Sequence, residues 1–265
     1  MKRADSKEDV NMRSGVVLAN EAIGGGYRHM AVNCPEIAKE VKDGQVVHIK
    51  VKDGNEPLLR RPFSVYLYDR EAGTVEFVYA VKGAGTKIMA GYEPGDEIDL
   101  LGPTGKAYEL KEGAKKIAIL GRGVGIVSLV SLGVSAAGKG LRVEAILSGK
   151  TPDHVFGRKV LESSAAVVHE VYDADGSSDV ENVRKILERS RQEGAIDQIF
   201  VCGSKRLGKL AYDFSQEHGI DGYISLEERM ACGIGVCYVC VCKTTKGYQR
   251  VCKDGPVFPL AEVYG

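Results

Sequence analysis

The sequence predicts an antiparallel β-barrel, then an α/β domain with a doubly wound parallel sheet, then a short cysteine-rich segment. The first part contains short β-branched and aromatic runs separated by turn residues, which is typical of small barrels. The second part alternates strand-like with helix-like segments, which indicates a parallel sheet. The third part carries a cluster of cysteines. We therefore expect boundaries at residues 12–108, 109–227 and 228–265 of this 265-residue chain.

Six strands are predicted in the first part, because each apolar run ends at glycine, proline or aspartate. They cover residues 15–18, 28–32, 46–51, 63–67, 74–81 and 97–101. The turns between them include Asp43-Gly44, Asp53-Gly54 and Pro94-Gly95-Asp96. One or two turns of helix are expected at residues 35–41.

In the second part the apolar period changes from strand to helix repeatedly. Strands are expected at residues 116–120, 142–147, 198–202 and 222–226, and helices at 126–137, about 178–193 and 207–218. Ser178 and Glu181 have capping-box spacing, and Gly219 ends the last helix. The apolar run 117–134 has the length of a membrane span, but it contains Arg122 and four glycines. A buried strand–loop–helix is the better interpretation.

Four cysteines in the third part have metal-ligand spacing. Cys232, Cys237, Cys240 and Cys252 read C-x4-C-x2-C-x11-C, the plant-type arrangement for a [2Fe–2S] cluster. Glycines between the first two allow the sharp turn that such a loop needs. A structural zinc site of four cysteines remains an alternative, although only one C-x2-C pair is present. Cys242 shares the face of Cys240 on an extended segment and is expected to be a free buried thiol.

Glycines also mark a possible nucleotide site. Gly121, Gly123 and Gly125 lie between a predicted strand and a predicted helix, where backbone N–H groups can bind a pyrophosphate. The pattern is G-x-G-x-G rather than G-x-G-x-x-G, and Glu144 lies inside the next strand instead of at its end. A tight strand–helix turn with no ligand explains these glycines as well.

Two further motifs in the barrel could bind a flavin nucleotide. In Arg61-Pro62-Phe63-Ser64, the arginine can pair a phosphate, the proline fixes the backbone and the serine can hydrogen-bond a flavin ring. The run 83–86, Gly-Ala-Gly-Thr, can open a short helix that receives a phosphate. Taken alone, the first motif could be a surface arginine on a strand edge, and the second a capped hairpin loop.

Composition excludes several classes of function. Lys and Arg number 36, as do Asp and Glu, so no basic excess indicates nucleic acid. The five histidines are scattered and no acid–base pair is evident, which suits a protein whose cofactors carry the chemistry and predicts no catalytic side chain. The charged N-terminus lacks a signal peptide and the seven cysteines are odd in number, so we expect a reducing cytoplasm and no membrane association.

Together these motifs resemble, from about residue 12 onward, the electron-transfer subunit of type B dihydroorotate dehydrogenase, within the ferredoxin–NADP reductase superfamily. The resemblance rests on the order of the arginine motif, the glycine loops, Cys202-Gly203 and the cysteine segment. It implies FAD on the barrel, NAD(H) on the α/β domain and a [2Fe–2S] cluster facing a separate catalytic subunit, in an assembly of two plus two chains.

The resemblance also implies roles for individual residues. FAD would be bound by Arg61, Pro62, Phe63, Ser64, Tyr79, Val81, Gly85 and Thr86, and the nicotinamide nucleotide by Gly121, Gly123, Gly125, Cys202 and Gly203. Arg122 stands where the family has a glycine, and Ser128 where a proline is usual, so the choice between NAD and NADP stays open. A related family, the small subunit of NADH-dependent ferredoxin:NADP oxidoreductase, has an aspartate among its ligands, whereas all four positions here are cysteines.

The expected function is an NAD(P)H-dependent oxidoreductase subunit that relays electrons between NAD(H), FAD and the cluster to a dihydroorotate dehydrogenase of pyrimidine biosynthesis. One alternative is the same module serving another flavin or molybdenum oxidoreductase, because one arrangement of redox cofactors can serve different partner enzymes. An alternative of another class is a zinc-binding, non-catalytic interaction protein.

Overall fold

The computed structural model describes residues 12–52, 54 and 56–265, so the predicted turn residue Asp53 lies outside the described part. The first part is one antiparallel sheet with the strand order β4-β3-β7-β1-β2-β6-β5. Its strands are β1 Met12–Gly24, β2 Tyr27–Asn33, β3 Val46–Lys50, β4 Arg61–Ser64, β5 Leu67–Asp69, β6 Thr74–Ala80 and β7 Glu97–Thr104. Two short helices, α1 Pro35–Glu40 and α2 Ala84–Met89, lie near the expected positions. The predicted antiparallel β-fold is confirmed.

The single strand predicted at residues 63–67 was wrong, because the chain changes partner there. The N–H of Val65 still donates to Gln45 O beside β3, whereas that of Tyr66 donates to Glu76 O on β6. The aromatic and β-branched run is continuous, so the sequence cannot show where its neighbour changes. The ring centroid of Phe63 lies 6.4 Å from that of Phe77 and 5.7 Å from that of Tyr79. Strand β4 therefore curls over β6 and encloses the barrel core.

The second part is a parallel sheet in the order β10-β9-β8-β11-β12. Its strands are β8 Lys116–Arg122, β9 Arg142–Gly149, β10 Val167–Tyr172, β11 Gln198–Cys202 and β12 Asp221–Ser225, and its helices are α3 Val127–Gly138, α4 Arg158–Ser163, α5 Val180–Glu193 and α6 Lys205–His218. Alternate residues of β8 belong to two separate apolar cores, one packed with α3 and the other with α5 and α6. Helices therefore cover both faces, as predicted for a doubly wound sheet.

The long apolar run 117–134 forms β8, a 3-10 turn at Gly123–Ile126 and most of α3, as expected. Among the helices of the described residues, none combines the length and the apolar character needed to cross a bilayer.

Two features of this domain were not predicted from sequence. Helix α4 and strand β10 were missed, because β10 is an edge strand that carries His169 and Glu170 between its apolar residues. The predicted capping box of Ser178 and Glu181 is also wrong. Helix α5 begins after Asp179 without a side-chain cap, and the Ser178 hydroxyl donates to Asp173 instead.

Glu144 takes part in a buried ionic network rather than in a ligand site. Its carboxylate accepts hydrogen bonds from His169 and Ser190 and lies 3.8 Å from the Lys116 ammonium. Burial opposes ionisation of Glu144, but these hydrogen bonds outweigh it and lower the pKa. Glu144 therefore lies inside β9, as the sequence predicted, and not at the carboxyl end of the strand.

The third part is joined to both preceding ones. It contains a hairpin of β13 Val241–Thr244 and β14 Gly247–Arg250, then α7 Val251–Asp254, β15 Val257–Pro259 and α8 Leu260–Tyr264. Strand β15 extends the parallel sheet by pairing antiparallel with β12, and Lys106 N donates to Gly255 O. These contacts hold the cysteine segment against the barrel and the α/β domain. The residue boundaries between the three parts stay predictions.

Candidate cofactor cleft and cysteine site

A cavity of about 250 Å³ opens where the three parts of the chain meet. Its lining comes from the arginine motif and β6 of the barrel, from the glycine turn and start of α3, and from the segment after β12. These residues include Pro62, Phe63, Ser64, Val78, Tyr79, Ala80, Val124, Val127, Ser225, Leu226, Glu227, Glu228 and Met230. Most of the surface is apolar, with a few polar groups at the edges. Such a slot between two domains suits a flat aromatic ring system.

The two phosphate-binding motifs predicted in the barrel are in direct contact. A Cβ atom placed on Gly85 would lie 2.6 Å from Nε of Arg61 and 3.0 Å from its Cζ. The guanidinium therefore packs on the bare backbone at the start of α2. Thr86 Oγ1 accepts hydrogen bonds from the N–H groups of Lys82 and Gly83, at 2.9 and 3.1 Å, and fixes this turn. A cation and a helix start thus share one corner, an arrangement that can bind a phosphate.

Two residues expected beside the flavin behave differently. The ring of Tyr79 lines the cavity while its hydroxyl donates to Asn20 Oδ1 at 2.9 Å. Val81 lies outside the cavity lining and packs at the edge of the barrel core, where its N–H donates to Gly26 O.

The glycines of the nucleotide motif divide into two kinds. A Cβ on Gly121 would lie 2.7 Å from the Ile126 side chain, and one on Gly125 would lie 2.5 Å from Gly203 Cα. These positions need glycine for close packing of the turns after β8 and β11, which is what the ligand-free interpretation expected. Gly123, with φ +54°, has no atom within 4 Å of the Cβ position. This glycine therefore leaves room for an approaching nucleotide.

Sequence reasoning missed the role of the residues after β12. Glu227 and Glu228 both line the cavity. Glu227 borders open space, yet the surrounding protein atoms desolvate it and raise its pKa, an effect that Lys82 partly offsets. The signal available in the sequence was an acid directly after the carboxyl end of a parallel strand, where ligands bind in this kind of fold.

Cys202 lies at the end of β11 and is buried. Burial, reinforced by the nearby carboxylate of Glu227, raises the pKa of its thiol far above the usual range. Cys202 is therefore a neutral thiol at physiological pH.

The four predicted ligands are arranged as two pairs. Cys232 contacts Cys237 through a side-chain hydrogen bond, and Cys240 contacts Cys252 in the same way. The N–H of Cys252 also lies 3.4 Å from Cys240 Sγ. Over the residues that the structure describes, no three cysteine sulfurs lie within 4.8 Å of one another. Tetrahedral zinc would need all four sulfurs within about 3.8 Å, given Zn–S bonds of about 2.3 Å. Two thiol pairs instead suit two irons.

Backbone N–H groups of the cysteine loop are directed at the first pair. Burial by itself would raise the pKa of Cys232, but hydrogen bonds from Ile234, Cys237 and Val236 lower it to about 6. Donors aimed at sulfur favour the thiolate, the form that binds a metal. Cys242 forms part of neither pair, and burial raises the pKa of its thiol.

The cysteine loop rests on the barrel and on its own return strand. A Cβ on Gly233 would lie 2.6 Å from the buried imidazole of His48, so its Cα packs on the ring that β3 supplies. Arg250 donates to Gly235 O at 2.9 Å and is paired with Asp254. These contacts connect the two thiol pairs and place the loop beside the cleft.

The outer surface of the same loop is apolar and exposed. Val236, Tyr238 and Val239 retain 68%, 63% and 56% of their accessible surface, and Cys237 lies among them. Exposed apolar side chains in one contiguous patch are typical of protein interfaces.

Family models and relatives agree with this geometry. Residues 227–264 match the iron–sulfur cluster binding domain of dihydroorotate dehydrogenase B, and residues 16–108 match an oxidoreductase FAD-binding domain. A protein of Lysinibacillus sphaericus named dihydroorotate dehydrogenase B (NAD(+)), electron transfer subunit, is 36% identical over 236 residues, which cover 86% of this chain and 89% of that protein. The chain belongs to this family of electron-transfer subunits.

Another relative and two solved structures are also similar to this chain. A Fusobacterium nucleatum protein of the same name is 37% identical over 227 residues, covering 83% of this chain and 86% of that protein. Among solved structures, an NADH-dependent reduced ferredoxin–NADP oxidoreductase has a TM-score of 0.81 at 26% identity, covering 94% and 89% of the two chains. A Neisseria gonorrhoeae ferredoxin NADP+ reductase, with TM-score 0.63 and 17% identity over 80% of this chain and 93% of that one, shares the fold. The resemblance and the fold class expected from sequence are confirmed.

The contact between Arg61 and Gly85 leads to a prediction for the electron-transfer subunit. If Arg61 binds the FAD phosphate as the resemblance implies, Arg61→Ala should weaken FAD binding by about 1.5–3 kcal/mol, because one charged hydrogen bond would be lost. Arg61→Lys should restore only part of this, since an ammonium lacks the planar fork. The measurement is a fluorescence titration of deflavinated protein with FAD. Arg60→Ala is the matched control, because the Arg60 guanidinium pairs with Asp99 at 2.8 Å instead. Equal affinity in Arg61→Ala and wild type would contradict the assignment.

Proposed function

We propose that this chain relays electrons, in either direction, between NAD(H) and the catalytic subunit of a dihydroorotate dehydrogenase. It exchanges electrons with that subunit one at a time. FAD and a [2Fe–2S] cluster, when bound, supply the conversion between two-electron and one-electron transfer. The observation that carries the proposal is the cavity lined by all three parts of the chain, whose wall includes Met230, two residues before the first cysteine of the thiol pairs.

The chain's own residues would bind and orient the groups that react. The corner formed by Arg61 and Gly85 would hold the FAD phosphates, and Ser64 with Tyr79 would border the ring. The open side of Gly123 would receive the pyrophosphate of the nicotinamide nucleotide. Glu227 would present to the cleft a carboxyl group whose pKa is raised by desolvation.

The two thiol pairs would hold the cluster, one pair on each iron. The loop that carries them packs on His48 of β3, a strand whose Val46 lines the cleft. Strand β3 therefore contacts both the cleft and the cysteine loop. The zinc alternative is disfavoured by the same pairing, since one metal ion cannot reach both pairs in this geometry.

The test is anaerobic purification followed by metal analysis, absorption spectroscopy and titration with NADH. We expect flavin, about two irons per chain and bleaching of both flavin and cluster absorption by NADH. A colourless protein that contains zinc would overturn the proposal. Reduction of both centres without transfer to a co-expressed dihydroorotate dehydrogenase subunit would instead support the same module with a different partner.

The assembly and location extend this proposal. A two-plus-two assembly with the catalytic subunit is proposed from the family resemblance, and a cytoplasmic location from the odd number of cysteines and the thiolate-bound cluster. The mass of the complex co-purified from cells, measured by light scattering, tests the stoichiometry.

A further inference from the structure

Arg250 connects the two thiol pairs through its hydrogen bonds. Its guanidinium donates to Gly235 O at 2.9 Å, in the loop that carries the first pair. Its other nitrogens donate to the two carboxylate oxygens of Asp254, at 2.9 and 3.1 Å. Asp254 belongs to the short helix α7, which also contains Cys252. The Arg250 side chain therefore ties the cysteine loop to the helix that supplies the fourth predicted ligand.

The peptide group that Arg250 binds is directed at a cysteine sulfur. Gly235 O belongs to the same peptide unit as the N–H of Val236, and that N–H donates to the Cys232 sulfur. A donor on the oxygen of a peptide group polarises it and strengthens the hydrogen bond that its N–H makes. The N–H of Gly235 itself donates to the Cys252 sulfur. Both thiol pairs thus receive a hydrogen bond from the turn that Arg250 fixes.

The charge of this guanidinium is fixed in place and only partly open to water. The Arg250 side chain retains 25% of its accessible surface, and its Cζ lies 5.5 Å from the centroid of the Tyr238 ring. Water therefore screens this charge less than it screens a charge at the end of a free side chain. The carboxylate of Asp254 pairs with the guanidinium and offsets part of its field.

We propose that Arg250 raises the reduction potential of the [2Fe–2S] cluster, by its positive charge and through the peptide group between Gly235 and Val236. The inference rests on the proposed function, since it requires the cluster to be bound by the four cysteines. Uptake of one electron, which the flavin supplies under the proposed function, adds one negative charge to the iron, sulfide and cysteine sulfur atoms. A nearby cation and hydrogen bonds to the sulfurs both stabilise that added charge. Arg250 is therefore a positioning residue for electron transfer and not a ligand.

The experiment is a potentiometric titration of the cluster in the anaerobically purified holoprotein, followed by electron paramagnetic resonance of the reduced form. Arg250→Gln should lower the equilibrium constant for one-electron reduction about tenfold, which is a shift of about 59 mV to a more negative potential. Arg250→Lys should restore part of the potential, because it keeps the charge but lacks the planar fork. Iron per chain, measured on each preparation, shows whether the cluster is retained.

Asp254→Asn is the decisive comparison, because it removes the opposite charge and keeps an oxygen that can accept a hydrogen bond from Arg250. The guanidinium would then be less neutralised, so the potential should rise. A general disturbance of the loop would instead move both variants in the same direction. Arg158→Gln is the matched control and should leave the potential unchanged. Arg158 makes the same kind of i,i+4 pair, with Glu162 at 2.8 Å, on α4 of the α/β domain.

The outcomes separate this inference from the proposed function. Wild-type protein that binds no iron would overturn the proposed function itself. Wild-type protein with a cluster, together with an unchanged potential in Arg250→Gln, would overturn only the inference. An unchanged or lower potential in Asp254→Asn would also overturn it. If Arg250→Gln loses its iron, the Asp254→Asn titration decides alone, and a more positive potential there supports the role of Arg250.

Discussion

Replacing any one of the four paired cysteines with serine should remove most of the iron from this protein. Cys240→Ser is the most informative case, because Cys240 is buried and its sulfur contacts Cys252. Loss of one thiolate leaves an iron with an open position that water or oxygen can attack. The measurement is iron and acid-labile sulfide per chain after anaerobic purification, with the visible absorption of the cluster as a second readout.

Cys242→Ser is the matched control for this prediction. Cys242 lies two residues after Cys240 and is partly buried, yet it takes part in neither thiol pair. We expect Cys242→Ser to retain iron at the wild-type level. Retention of iron in Cys240→Ser combined with loss of iron in Cys242→Ser would show that Cys242, and not Cys240, is the third ligand.

Tyr238→Asp should reduce electron delivery to the native partner about 100-fold or more while it leaves NADH-dependent reduction of a small dye largely intact. Tyr238 is 63% exposed, next to the exposed Cys237, in the patch that also contains Val236 and Val239. A charge buried at the centre of an interface is costly, whereas hydride transfer in the cleft does not use this surface. Steady-state rates with the catalytic subunit and with the dye, measured on the same preparation, test the separation.

Two controls distinguish docking from an effect on the cluster. Tyr248→Asp introduces the same charge at an even more exposed tyrosine of β14, outside the cysteine loop, and should keep both activities. Iron content must also be measured, because the centroid of the Tyr238 ring lies 5.5 Å from Cζ of Arg250. The Arg250 guanidinium donates to Gly235 O in the cysteine loop, so a change at Tyr238 could disturb the loop itself. The backbone at Tyr238 has φ 58°, which aspartate tolerates at least as well as tyrosine, so added strain is not expected. Equal loss in both assays would mean that Tyr238 only covers the cluster.

Much of the candidate site could be predicted from local sequence. The cysteine spacing, the glycine turn after β8 and the arginine motif each lie within a short stretch of chain, so their chemistry is visible before folding. Their order along the chain then indicated the family. Predicted strands and helices were also largely confirmed, because apolar periodicity is a local signal. Errors occurred where the period was interrupted, as in β10, or where a continuous run changed partners, as between β4 and β5.

Only the tertiary structure decided which distant residues meet. It brings Arg61 against Gly85, arranges the four cysteines as two pairs and places Glu227 in the wall of the cleft. Each of these contacts depends on strand order, register and the packing of three parts of the chain. Spacing along one chain determines which residues can act as ligands, because it fixes residue type and local geometry. Long-range packing determines which of them act together, because contacts between residues far apart in sequence depend on the whole fold.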